Sequence, residues 1–136
     1  MLRIAINGFG RIGRNVVRAL YESGRNTDIK IVAINELAEP KGIAHLLKYD
    51  TSHGRFGFSV DLQAQCLTVA GDEILLLQHE NIADLPWQQL DIDLVLECSG
   101  VHNDRAAGQA HLDQGAAKVL FSQPCGPDMD ATVIYG

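Results

Sequence analysis

Three glycines between residues 7 and 14, in the string Asn-Gly-Phe-Gly-Arg-Ile-Gly-Arg, constrain this chain more than any other feature. The apolar residues 2–6 in front of them predict a β-strand. Apolar residues at helical spacing behind them predict a helix from Arg11 to about Ser23, which Gly24 would close. A strand, three spaced glycines and a helix are typical of the phosphate-binding turn in doubly wound α/β folds.

Each glycine of this turn has a physical reason to be there. Gly8 would allow the tight turn out of the strand, Gly10 the close approach of backbone N–H groups to a pyrophosphate, and Gly13 the packing of the helix on the sheet. The first turn of that helix has unpaired N–H donors and the positive end of the helix dipole, which favour an anion. Arg11 and Arg14 add positive charge at the same place.

An acidic residue after the next strand predicts which dinucleotide is bound. The apolar residues 29–34 predict a strand that ends at Asn35 and Glu36. Glu36 follows Gly13 by about twenty residues, the spacing at which an acidic side chain accepts hydrogen bonds from a ribose diol. Because its carboxylate would repel a 2′-phosphate, we predict NAD rather than NADP. The alternative is a surface turn with an unrelated acidic residue.

The rest of the chain alternates between strand-like and helix-like segments. We expect a helix at 41–49, followed by antiparallel strands at 56–62 and 66–77 with a turn at 70–72. A helical turn opened by Pro86 and a strand at 92–98 come next. A helix from Asp104 to His111 or Gln114, closed by Gly115, and strands at 118–122 and 131–135 complete the chain. This order predicts one α/β domain over residues 1–136. Its expected architecture is a Rossmann-type doubly wound, mostly parallel sheet with an inserted antiparallel hairpin.

The ends of the predicted parallel strands select a binding site, because ligands of doubly wound sheets bind at the carboxyl ends of the strands. Asn7 and Gly8 end the first strand and Asn35 and Glu36 the second. Later strands end at Ser99-Gly100 and at Ser122-Gln123. Small hydroxyl residues there suit a ribose or a carboxamide. An equally good explanation for both serines is that serine favours turns, without any role in ligand binding.

Composition and charge argue against several classes of function. The formal net charge of −6 argues against a general nucleic-acid or anionic-membrane surface. No apolar run approaches the roughly 20 residues of a membrane helix. The first residues run straight into a strand, so we expect a cytoplasmic protein without a signal peptide.

The three cysteines form no pattern that indicates a metal or a disulfide framework. They are widely spaced, at Cys66, Cys98 and Cys125, without paired ligands nearby. Cys125 lies in a proline- and glycine-rich loop and is the one candidate for a reactive thiol, but no neighbouring His or Lys would lower its pKa. We therefore expect no metal site.

Three blocks of sequence are similar to the phosphorylating glyceraldehyde-3-phosphate dehydrogenase superfamily: residues 6–14, residues 32–35 and residues 47–56. The resemblance covers nearly the whole chain. Within the superfamily, the chain resembles most the bacterial branch that oxidises D-erythrose 4-phosphate. The pointers are residues 15–25, Glu36 in place of the usual Asp, residues 85–87, residues 119–122 and residues 130–136.

The resemblance implies an NAD-dependent oxidation of a phosphorylated aldose through a cysteine thiohemiacetal. In the erythrose branch the product is 4-phosphoerythronate, which feeds pyridoxal 5′-phosphate synthesis. It also implies that the cofactor site is made by the glycine-rich turn, with the amides of Arg11 and Ile12 on the pyrophosphate, and by later strand ends. Those residues are Asn7, Gly8, Phe9, Gly10, Arg11, Ile12, Gly13, Asn35 beside the adenine, Glu36 on the ribose, Ser99, Gly100 and Ser122 near the nicotinamide. One departure is Asn81, where the family often has an arginine.

The nucleophile and base of the superfamily have no counterpart here. Its Ser-Cys-Thr-Thr-Asn-Cys motif and its catalytic histidine follow the last strand that can be identified, and neither occurs in residues 1–136. We therefore expect a cofactor domain without its catalytic domain, inactive alone, from a parent enzyme that the resemblance implies to be a homotetramer. Glyceraldehyde 3-phosphate is the alternative substrate. A stand-alone nucleotide-binding module and a fold relative that binds S-adenosylmethionine are alternatives of other classes.

Overall fold

The computed structural model describes residues 1–50, 54–100, 105–121 and 134–135. Three α-helices lie in these ranges: α1 (Arg11–Glu22), α2 (Pro40–Lys48) and α3 (Arg105–Asp113). The strands are β1 (Leu2–Asn7), β2 (Ile29–Asn35), β3 (Tyr49–Asp50), β4 (Gly54–Arg55), β5 (Val60–Gln63), β6 (Cys66–Val69), β7 (Asp72–Leu77), β8 (Leu94–Glu97), β9 (Lys118–Phe121) and β10 (Ile134–Tyr135). No helix in the described ranges is long and apolar enough to cross a membrane.

Within the described ranges, eight strands form one sheet in the order β10-β9-β8-β1-β2-β7-β6-β5. The five central strands, from β9 to β7, are parallel to one another. Antiparallel strands extend both edges, with β10 on one side and the β5–β6 hairpin on the other. The chain moves outward from β1 first through β2 and then, in the other direction, through β8. This arrangement confirms the predicted doubly wound fold, and its switch point lies between β1 and β8.

Apolar side chains cover both faces of the sheet. In β1, Ile4 and Ile6 belong to one buried cluster, while Ala5 between them belongs to the other. The first cluster contains residues of α1 and α2, and the second contains Trp87 and residues of α3. Because the central strands are buried on both faces, they have continuous apolar runs rather than alternation.

The predicted strand at 56–62 is wrong in its first half. Only Val60–Gln63 forms a strand, and it pairs with Cys66–Val69 as expected. Phe56 is fully buried, and its backbone N–H donates to the Lys48 carbonyl at the end of α2 (2.7 Å). The alternating aromatic residues therefore mark a loop that packs its rings into the core, with the Phe56 and Phe58 centroids 5.2 Å apart.

The predicted ends of two helices are confirmed. Gly24 follows α1 with a φ of +77°, and its N–H donates to the Tyr21 carbonyl (3.2 Å). Gly115 follows α3 with a φ of +111°. Pro86 opens a single turn, in which the Leu90 N–H donates to the Pro86 carbonyl (3.1 Å). The predicted cap Asp104 lies outside the described residues.

Two polar side chains attach α1 to neighbouring elements. The buried Arg18 donates to the carbonyls of Leu47 (3.1 Å) and Lys48 (3.3 Å), which end α2, and its guanidinium lies 5.3 Å from the centre of the Phe56 ring. The Tyr21 hydroxyl donates to an Asp72 carboxylate oxygen (2.8 Å) at the start of β7. Thus α1 is held both to α2 and to the start of β7.

We expect Tyr21→Phe to lower the free energy of unfolding by about 1 kcal/mol at neutral pH, because it removes one hydrogen bond and keeps the ring. Burial, and then the bond to Asp72, raises the pKa of Tyr21. A raised folded-state pKa means that the stabilisation is complete below the unfolded tyrosine pKa of about 10 and is lost as pH rises above it. Urea unfolding across pH 7 to 11 tests this: the native protein should lose more stability above about pH 10 than the variant does. Parallel curves would contradict it.

Candidate functional site

A cleft of about 290 Å³ opens at the carboxyl ends of β1, β2, β7 and β8, at the switch point of the sheet. Its walls come from the glycine-rich turn and from the residues that follow three other strands. The lining residues are Asn7, Gly8, Gly10, Asn35, Glu36, Leu37, His79, Glu80, Ile82, Cys98 and Ser99.

The three glycines of the turn differ in the space that would be left for a Cβ atom. Gly8 has a φ of +92°, and a Cβ on it would lie 2.4 Å from the Ser99 Cα. A Cβ on Gly13 would lie 2.9 Å from the Gly8 carbonyl oxygen and 3.2 Å from the Phe9 ring. In contrast, a Cβ on Gly10 would meet no atom of the described residues within 4 Å. Gly8 and Gly13 are therefore required by the protein itself, whereas the space above Gly10 faces the cleft.

Helix α1 begins at the cleft without a side-chain cap on its first turn. Gly10 is the N-cap residue and has no side chain that could accept from the first turn. No acidic residue occupies that turn, and Arg11 and Ile12 are exposed. The first-turn N–H groups and the helix dipole therefore favour an anion beside Gly10.

Glu36 connects the glycine-rich turn to the loop after β2. One of its carboxylate oxygens accepts from the Phe9 N–H (2.7 Å), and the other accepts from the Ala38 N–H (3.1 Å). The side chain is half-buried at the cleft wall. Its oxygens have further lone pairs, so the carboxylate can hold the turn and still accept bonds from a ligand.

Buried amides hold the strand ends together below the cleft. The Asn35 side-chain amide donates to the Asn7 side-chain oxygen (2.7 Å) and to the His79 carbonyl (2.9 Å), and the His79 N–H donates back to Asn35 (2.8 Å). Asn7 in turn donates to a carboxylate oxygen of Glu97 (2.8 Å). These bonds join the ends of β1, β2 and β8 to the loop after β7.

The buried Glu97 is also bound from its other sides. The Ser99 hydroxyl and N–H both donate to its second carboxylate oxygen, at 2.7 and 3.1 Å. His111 Nε2 lies 2.8 Å from its first oxygen, and the indole N–H of Trp87 donates to His111 Nδ1 (3.0 Å). Glu97 is therefore the centre of a polar network that starts at the cleft and ends inside the α3 face of the sheet.

The family described as "Glyceraldehyde 3-phosphate dehydrogenase, NAD binding domain" matches residues 2–105. The matched span is more than half of the chain and includes all the lining residues of the cleft. The chain belongs to this family. It is thus an NAD-binding domain of the dehydrogenase type, as the glycine-rich turn and Glu36 predicted.

The residues of this glyceraldehyde-3-phosphate dehydrogenase-type domain fit NAD chemically. The open space above Gly10 admits a pyrophosphate close to the backbone, and the first turn of α1 supplies N–H donors. Glu36 lines the cleft wall, where its carboxylate oxygens would accept from ribose hydroxyls. When bound, NAD supplies the hydride acceptor, and the residues of this chain bind and orient it.

The structure brings half of the predicted cofactor residues together. Asn7, Gly8, Gly10, Asn35, Glu36 and Ser99 line the cleft. The other described ones lie around it: Phe9 and Gly13 are buried under the turn, Arg11 and Ile12 are exposed at the start of α1, and Gly100 is in an exposed turn with a φ of +78°. Ser122 and the candidate thiol Cys125 lie outside the described residues. The ligand contacts of all these residues stay predictions.

Sequence reasoning missed the wall formed after β7, which contains His79, Glu80 and Ile82. We expected residues 66–77 as part of an antiparallel unit, but β7 pairs with β6 antiparallel and with β2 parallel. Had the parallel pairing been recognised, the rule of strand ends would have pointed to these residues. Asn81 begins the next turn and does not line the cleft.

Two of the three cysteines lie in the described part of the chain. Cys66 carries a free thiol, and Cys98 is buried at the cleft wall. Within the described part of the chain, no group of three or more His, Cys, Asp or Glu residues could hold a metal ion.

Proposed function

We propose that this domain provides the NAD site of a dehydrogenase that oxidises an aldose phosphate, with D-erythrose 4-phosphate as the substrate. The observation that carries the first part is the cleft at the switch point, where Gly10 leaves room for a pyrophosphate and Glu36 supplies ribose acceptors. The choice of erythrose 4-phosphate is supported by the sequence resemblance, including Glu36 at the position where Asp is usual.

In this proposal the chemical step uses residues outside positions 1–136. The resemblance implies that a cysteine nucleophile and a histidine base follow the cofactor domain, in a catalytic domain that also binds the sugar phosphate. We include in the proposal a homotetrameric parent, as in the superfamily. Oxidation of the aldehyde by NAD, with water as the acyl acceptor, would give the 4-phosphoerythronate carboxylate, NADH and two protons.

Glyceraldehyde 3-phosphate is the second candidate substrate, because the matching family is described by that enzyme. The two candidates share the cofactor and differ in the length of the aldose. They also differ in the acyl acceptor, which is inorganic phosphate for a phosphorylating enzyme and water for the erythrose branch.

Assay of the complete protein with both aldose phosphates distinguishes the candidates. We expect kcat/KM for erythrose 4-phosphate to exceed that for glyceraldehyde 3-phosphate by about tenfold or more, a ratio within the range that pocket contacts supply. Formation of NADH should not need inorganic phosphate. A preference for glyceraldehyde 3-phosphate, or a requirement for phosphate, would support the second candidate. NAD binding without turnover of either aldehyde would support a non-catalytic nucleotide-binding module.

A further inference from the structure

The directions of the hydrogen bonds around Glu97 can be assigned from chemistry alone. An indole N–H is a donor only, so His111 Nδ1 must accept from Trp87 and carries no proton. The proton of the neutral imidazole is then on Nε2, which donates to Glu97 (2.8 Å). Trp87 thereby selects one tautomer of His111, and Glu97 receives a bond on the side that faces away from the cleft.

The same reasoning applies to the cleft side of Glu97. A carboxylate only accepts, so the Ser99 hydroxyl must donate its proton to Glu97 (2.7 Å). The Ser99 hydroxyl therefore meets a ligand as an acceptor and not as a donor. Ser99 also lies directly against the turn, because its Cα and N are the atoms that a Cβ on Gly8 would meet, at 2.4 and 2.5 Å.

We propose that Glu97, oriented by His111 and Trp87 on the far face of the sheet, is a positioning residue for the NAD site. It makes the Ser99 hydroxyl a hydrogen-bond acceptor at the cleft wall and holds Ser99 against Gly8. The group of the dinucleotide that meets Ser99 is then a donor, which is a ribose hydroxyl or the carboxamide NH₂. The inference rests on NAD binding by this domain and is independent of which aldose the enzyme oxidises.

Two substitutions of His111 distinguish its hydrogen bonding to Glu97 and Trp87 from the space that its ring fills in the core. The Gln side chain combines a donating NH₂ group with an accepting oxygen, as the imidazole combines an N–H with an unprotonated nitrogen, so His111→Gln can bond both Glu97 and Trp87. His111→Phe fills a similar volume and bonds neither. By isothermal titration of folded protein, we expect His111→Phe to raise the Kd for NAD about tenfold and His111→Gln to stay within about threefold of the native value. Equal Kd values for the two variants would overturn the proposal.

Val119→Ala is the matched control, because Val119 is fully buried in the same apolar cluster as Trp87 and does not line the cleft. It should lower the free energy of unfolding in urea and leave the Kd for NAD unchanged. If Val119→Ala weakened NAD binding as much as His111→Phe does, the effect would be one of general stability, and the positioning role would be wrong.

A double-mutant cycle tests whether the network acts through Ser99. Ser99→Ala alone should raise the Kd for NAD, and Ser99→Ala combined with His111→Phe should be little weaker than the weaker single variant. Additive losses would overturn the role of Ser99. The aldehyde assay has no bearing on this cycle, so the failure of one proposal does not imply the failure of the other.

Nitrogen-15 NMR of the histidine rings provides a readout that packing alone does not move. We expect the Nε2–H tautomer for His111 in the native protein, with Nδ1 as the unprotonated nitrogen. In Trp87→Phe, which removes the donor to Nδ1, the tautomer preference should weaken. Observation of the Nδ1–H tautomer in the native protein would overturn the assignment. Because Trp87 is the single tryptophan of the chain, its fluorescence reports the integrity of the same site.

Discussion

Gly8→Ala should lower the free energy of unfolding by roughly 2 to 5 kcal/mol, the sum of left-handed backbone strain and overpacking. Gly8 has a φ of +92°, and its new Cβ would lie 2.4 Å from the Ser99 Cα and 2.5 Å from the Ser99 N. Both are backbone atoms at the end of β8, so they cannot move aside as a flexible side chain would. Because a domain of this size is stable by about 5 to 15 kcal/mol, the loss is a large share of the total.

Gly10→Ala is the matched control for this substitution, since it adds the same methyl group two residues later. In the described part of the chain its Cβ meets nothing within 4 Å, and Gly10 has an extended backbone that alanine can adopt. We expect a loss of stability below about 1 kcal/mol, from the poorer N-cap. The Kd for NAD should nevertheless rise about tenfold or more, because the methyl group fills the space in which the pyrophosphate approaches the backbone.

Urea unfolding and isothermal titration with NAD check the pair together. The expected pattern is a stability defect in Gly8→Ala and a binding defect in Gly10→Ala. Similar stability losses in both would show that the turn is sterically restricted throughout. Native NAD affinity in Gly10→Ala would mean that the dinucleotide does not pass close to this glycine.

The glycine-rich turn could be predicted from the sequence because its determinants are local. The strand before it, the helix after it and the closing Gly24 all lie within the first 24 residues, and each depends on short-range spacing. The acceptor Glu36 follows from the next strand end by the same reasoning. NAD binding is indicated mainly by these local elements, and the cofactor was therefore predicted correctly.

The parts that could not be predicted depend on contacts between distant residues. Asn7 and Glu97 are 90 positions apart, and nothing in the local pattern of either residue indicates that they share a hydrogen bond. Glu97 and His111 occur in segments that propensity identifies only as a strand and a helix. The same limit explains why Phe56 was wrongly predicted in a strand. Its burial under Arg18 depends on how α1 packs against α2 and not on alternation within residues 56–62.

Glu36→Gln should weaken NAD binding by about 1 to 3 kcal/mol, which corresponds to a roughly five- to 150-fold higher Kd. A carboxylate can accept from Phe9, from Ala38 and from ribose hydroxyls at once, whereas an amide has one accepting oxygen and turns its NH₂ toward groups that also donate. The substitution also removes the negative charge that disfavours a 2′-phosphate. We therefore expect the preference for NAD over NADP to shrink.

Glu39→Gln is the control, because it makes the same change of charge three residues away. Glu39 is exposed at the N-cap of α2, its side chain makes no capping bond, and it does not line the cleft. Isothermal titration of both variants with NAD and NADP should show native affinities for Glu39→Gln. An unchanged Kd in Glu36→Gln would refute the ribose role. Equal weakening in the two variants would mean that net charge acts at long range, and in that case the effect should disappear at high salt.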